Sequence, residues 1–135
     1  MLDTITQQAQ AQRRPHPLDA MTGDTLDFDL MQEIARLHGE ADWATGRNAK
    51  TLAKYDDLRI VLTTLAAGRR IPGHQTEGRI SIQAVTGHLH VHVGARTFDL
   101  PAGQLLVVDR ALPHDVEALE ASAFLLTVAW PTGRK

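Results

Sequence analysis

Regular spacing of apolar residues begins just after position 27, where Leu30, Ile34, Leu37 and Ala41 recur at intervals of four, three and four, with Met31 and Ala35 beside them. That stripe is the buried face of one amphipathic helix. Asp29, with Gln32 three residues on, supplies a capping box, and Gly39 supplies a stop. The pattern predicts a short helix over 29–38 that must pack on something. The preceding stretch is rich in Gln, Arg, Pro, Asp and Thr, has Pro15 and Pro17 around His16, and shows neither a helical nor a strand period. It predicts a flexible N-terminal arm over 1–26, with the helix and a connecting loop filling 27–50.

Past the loop 41–46 the pattern changes to short β-type runs, at 51–55, 58–66, 79–85, 88–93, 96–100, 104–108, 114–118 and 123–129. Turn residues divide them, among them Asp56-Asp57, Thr86-Gly87, Gly94-Ala95 and Pro101-Ala102-Gly103. The loop 68–78 is the longest interruption. No helix-length segment intervenes, so a parallel sheet with crossover helices is disfavoured and an antiparallel sandwich or barrel is expected. Eight strands over 51–130 suit an all-β jelly-roll barrel.

Composition narrows the function. A chain of 135 residues holds one domain, and 43% hydrophobic against 22% charged residues calls for a packed core. A net charge of -2 gives no basic footprint for a phosphate backbone, so nucleic acid is not an expected partner. The lack of cysteine excludes disulfides, thiolate metal sites and thiol nucleophiles, leaving His, carboxylate, amide or water to hold any metal. No apolar run reaches the ~18 residues of a membrane span, and the polar opening lacks a secretory stretch, which points to the cytoplasm. There is no Gly-rich phosphate cradle and no Gly-x-Ser-x-Gly elbow. Trp43 and Trp130 read as packing residues.

Two segments carry a resemblance. Gly68, five residues, His74 and Thr76, then a strand ending at Gly87, is similar to the first motif of the cupin superfamily. Gly103, five residues, Asp109-Arg110-Ala111, two residues, then His114 is similar to the second. The chain resembles a small single-domain cupin over roughly residues 50–130. The resemblance implies a jelly-roll barrel that in many members holds a divalent metal through three His and one Glu. His74 falls on the first histidine position and His114 on the third, while Thr76 stands at the second histidine and Ile80 at the glutamate. In the second motif Asp109 replaces the usual proline, Ala111 the usual glycine and Ala118 the usual asparagine. A divalent transition metal (Zn, Ni, Fe or Mn) on His74 and His114 would need further donors or water, with Glu77, Ser81 and Gln83 nearby. The expected pocket is therefore His74, Thr76, Gln83 and His114, with Ile80 and Ile82 as its apolar wall.

The run His88-Leu89-His90-Val91-His92-Val93 places three imidazoles on one face of a strand and three aliphatic groups on the other. A solvated polar outer face is the plain reading. Imidazoles at i and i+2 can also share a zinc ion, or form a pH-sensitive interface. The expected function is binding of a small molecule or divalent metal in the barrel of a homodimer. The alternatives are a metal-dependent oxygenase or isomerase, and a non-catalytic dimeric scaffold or regulatory module.

Overall fold

A computed structural model describes residues 21–74 and 77–131. Most of the expected arm lies outside the described residues. Its end is held, because Tyr55 Oη donates to the carbonyl of Gly23 at 2.8 Å.

Helix α1 spans Leu30–His38, and the carboxylate of its N-cap Asp29 accepts from the amide of Gln32. A short 3₁₀ turn, Ala41–Thr45, follows and ends at Gly46, whose φ of 86° belongs to the left-handed region. Nine strands come next: β1 Arg47–Lys54, β2 Leu58–Leu65, β3 Arg70–His74, β4 Arg79–Thr86, β5 His88–Val93, β6 Arg96–Pro101, β7 Leu105–Val108, β8 His114–Ala118 and β9 Ser122–Ala129. They form two antiparallel sheets, a five-stranded one in the order β1-β2-β9-β4-β7 and a four-stranded one in the order β3-β8-β5-β6. The all-β antiparallel jelly roll with one short helix is thus the observed architecture, with one more strand than the eight expected.

That extra strand is β3, inside what the sequence presents as the loop 68–78. It contains Pro72, which cannot donate to a ladder and is tolerated because β3 is an edge strand. It also carries a bulge: Ile71 pairs with Val116 but His74 with His114, three residues facing two. Strand β1 starts four residues earlier than expected, at Arg47, because its first turn is placed by hydrogen bonds. Asn48 is buried, and its Nδ2 donates to the carbonyl of Leu37 at 2.9 Å and to Oε1 of Glu40 at 3.0 Å. Thr64 Oγ1 donates in turn to the carbonyl of Asn48.

The main core lies between the sheets. Leu65, Ile80, Ile82, Ala84, Phe124 and Val128 come from the larger sheet, and Leu89, Val91, Val93, Leu100, Val116 and Ala118 from the smaller. A second cluster sits outside the larger sheet, where Ile34 and Leu37 of α1 cover Leu52, Leu62 and Ala123. This explains why β9 reads Ala-Phe-Leu-Leu-Thr-Val-Ala without alternation: Phe124 and Val128 face the barrel while Ala123 faces the helix. Burying Ile34 and Leu37 contributes about 1.5–3 kcal/mol each. The helix therefore packs on its own barrel.

Candidate functional site

The inner face of the smaller sheet places one histidine in the interior. Along β8, His114, Val116 and Ala118 are buried while Asp115 and Glu117 alternate outward. His114 is 5% exposed, and its Nδ1 lies 3.1 Å from the carbonyl of Leu112. Nδ1 donates to that carbonyl, which accepts only, and the bond fixes the orientation of the ring. The backbones of His74 and Val93 flank His114 on either side, as its register partners in β3 and β5. Close approach of β3 is permitted by Gly73, where a Cβ would lie 3.2 Å from the His114 carbonyl oxygen. On the other face of the same strands, Arg70 Nε donates to Oδ2 of Asp115 at 2.8 Å and clamps β3 to β8.

The remaining expected pocket residues fare differently. Ile80 and Ile82 are 3% and 0% exposed in the inter-sheet core, where the apolar wall was expected. Gln83 is a correction: it is exposed, alternates with the buried Ile82 and Ala84, and so faces outward from the larger sheet. Ser81 shares that outer face, beside an open groove of about 290 Å³ that also includes Arg79, Arg110 and Trp130. Glu77 is exposed. Thr76 lies outside the described residues. Trp43 stacks on His38, and Trp130 packs against the core with Arg59 over its ring.

A denser arrangement of polar groups occupies the outer face of the smaller sheet. His88, His90 and His92 of β5 point there, between Thr97 and Asp99 of β6 and Glu117 of β8. Oδ1 of Asp99 lies 2.6 Å from Nε2 of His88 and 3.1 Å from Nε2 of His90. The hydrogen bond from His88 is the main reason that the Asp99 carboxyl sits below the ordinary carboxylate range, with His90 adding to it. His92 is held on both nitrogens, by Thr97 Oγ1 at 3.0 Å and Glu117 Oε1 at 3.1 Å. Neither Asp99 nor Glu117 stands out in the sequence. The two-residue turn Gly94-Ala95 carries the missing signal, because a hairpin closed there must set Asp99 opposite His90.

No protein-family model matches the sequence, and no curated protein matches it. Solved structures do. A conserved protein of unknown function from Streptococcus pyogenes superposes with a TM-score of 0.68 at 26% identity, covering 84% of this chain and 94% of that one. A cupin superfamily protein from Desulfitobacterium hafniense superposes with a TM-score of 0.61 at 16% identity, covering 90% and 94%. This chain has the cupin fold. Salicylate 1,2-dioxygenase from Pseudoaminobacter salicylatoxidans, solved with gentisate, also superposes on the cupin barrel, with a TM-score of 0.68 at 16% identity over 76% of this chain and 33% of that one.

The metal centre associated with many cupins draws on three His and one Glu inside the barrel. The described interior does not fit it. Among the histidines whose side chains are described, His114 is the buried one, and the glutamate position is taken by Ile80, packed in the apolar core. A methyl-bearing side chain offers a cation no donor, and the neighbouring Ile82 and Val108 offer none either. Among the described residues, the one group of three metal-capable side chains is His88, His90 and Asp99, outside the barrel.

Proposed function

We propose that this cupin is a binding protein, which takes a small molecule into the barrel at the end marked by His114. The observation that carries this reading is a buried imidazole on the inner face of β8, oriented through Leu112 and paired in register with His74. An imidazole in such a place gives an otherwise aliphatic interior one directional group. Apolar walls with one or two convergent polar groups are the usual composition of a small-molecule site. An imidazole exchanges hydrogen bonds with ligands that carry a hydroxyl, amide or carbonyl group.

The second reading is a divalent ion held by His74 and His114 with water completing its shell, favoured by the register pairing of the two residues. Oxygenase or isomerase chemistry of the four-ligand kind finds less support, given Ile80. Within the leading reading the protein is a cytoplasmic homodimer, with the exposed Leu105 and Val107 of edge strand β7 as a face for self-association. Among the described residues no helix is long and apolar enough to cross a membrane.

Native mass spectrometry of untagged protein isolated from cells tests the reading. A small molecule that is released on denaturation, and is lost in His114→Ala while circular dichroism shows an intact fold, is the expected result. Retention of the molecule by that variant would move the site elsewhere. A mass increment identified as a metal, lost in the same variant, would favour the second reading.

A further inference from the structure

The outer face of the smaller sheet is independent of the barrel interior. Leu89, Val91 and Val93 are buried in the inter-sheet core, so His88, His90 and His92 are locked to the opposite face, since a slip of one residue would bury all three rings. The hairpin then delivers Asp99 to the same place, directly across from His90. From this convergence we propose that His88, His90 and Asp99 form a binding site for a divalent transition-metal ion of the zinc class, on the face of the sheet opposite His114.

Three features carry the proposal. First, the donor atoms are already gathered: one ring nitrogen of His88, one of His90 and a carboxylate oxygen of Asp99 all lie within 4.8 Å of one another. Ligands at ~2.0–2.1 Å around a tetrahedral ion sit roughly 3.3 Å apart. The His90 to Asp99 separation of 3.1 Å is close to that, and the His88 to Asp99 separation of 2.6 Å needs a modest opening. Asp99 can supply it, because its side chain is 61% exposed. Second, the rings of His88 and His90 are nearly perpendicular, at 85° with centroids 6.1 Å apart. Both can aim Nε2 at one point without stacking. Third, the carboxylate is bonded by these two imidazoles and, among the described residues, by no cation of an arginine or lysine. Asp115 and Glu117 on the same face are instead engaged by Arg70 and His92.

Without metal, each Nε2 carries the proton that it donates to the carboxylate. On binding, Nε2 turns its lone pair to the ion, and the proton of a neutral ring is carried on Nδ1, so no net charge leaves the protein. Two imidazoles and a carboxylate match zinc, nickel or copper and not the all-oxygen preference of calcium or magnesium. With three protein ligands and solvent on the open side, a fourth position stays available to water or an anion. His92 is not a ligand, since both its nitrogens are committed to Thr97 and Glu117.

Isothermal titration of zinc chloride into untagged protein at about pH 7.5, where free imidazole is neutral, tests the site. One ion per chain is expected. His90→Gln and Asp99→Asn should each weaken binding at least about tenfold, while His92→Gln and His114→Gln leave it unchanged. Circular dichroism confirms that all four variants are folded. In wild type, zinc should shift the Nε2 resonances of His88 and His90. Absence of zinc binding, or binding that survives both His90→Gln and Asp99→Asn, would overturn the proposal. Loss of binding in His114→Gln alone would place the ion in the barrel and support the second reading above.

Discussion

Ala111 has a φ of 62°, which makes it the one non-glycine residue with a left-handed backbone among the described residues. It stands where the cupin motif usually has glycine, in the turn that delivers His114 to β8. A Cβ in that conformation costs about 1–2 kcal/mol, so Ala111→Gly should stabilise the protein by roughly 1 kcal/mol, offset in part by the greater freedom of glycine when unfolded. Chemical denaturation measures it. The outcome would show that the turn geometry of the motif persists although its residue has changed. Asn48 gives a test of opposite sign: Asn48→Ala removes the short bond to the Leu37 carbonyl, which keeps only the Glu40 amide at 3.4 Å, and should cost about 1–3 kcal/mol. Asp99 adds a pH dependence. Its folded pKa is lowered, so its contribution to stability is complete above the unfolded value near 3.9 and fades as the pH falls through the lower folded one. Wild type should therefore melt above Asp99→Asn at neutral pH, and the gap should close in acid. A gap that stayed open in acid below the carboxylate range would contradict the lowered Asp99 carboxyl.

Among the elements, those legible in the sequence are those whose periodicity comes from burial. Helix α1 and strands β4, β5 and β8 show it, because one face of each is covered by the barrel or by the larger sheet. Strand β3 escapes because an edge strand needs no alternation and can hold a proline and a bulge. The start of β1 escapes because Asn48 is buried by its hydrogen bonds and not by its hydrophobicity. Gln83 was assignable: Ile80, Ile82 and Ala84 define the inner face, which sends Ser81 and Gln83 outward. His114 was reachable through motif spacing, whereas Asp99 required counting the hairpin register back from Gly94-Ala95. That register also bears on the histidine strand. Replacing His88, His90 and His92 together by Thr should preserve the fold, since substitutions at such surface positions usually move stability by about ±0.5 kcal/mol. Thermal unfolding checks this, and a collapse of the variant would mean that the imidazoles hold β5, β6 and β8 together.

At the scale of the whole molecule, two sheets enclose an aliphatic core, a helix seals the outside of the larger sheet, and the smaller sheet carries His114 on its inner face and His88, His90 and His92 on its outer one. The chain before residue 21 lacks apolar periodicity, and removing it should leave the melting midpoint unchanged. Removal that extends through Gly23 also takes the acceptor of Tyr55 and should lower it. The inner face of the smaller sheet is where the ligand is proposed to bind. Amide correlation spectra of the protein as isolated, and of the same protein after unfolding, dialysis and refolding, test it most directly, because stripping a bound small molecule shifts the amides that surround it. Shifts are expected at His114, Val116, Val93 and the residues of β3, with the groove around Arg79, Arg110 and Trp130 unaffected. Identical spectra, or shifts confined to that groove, would contradict a ligand site in the barrel.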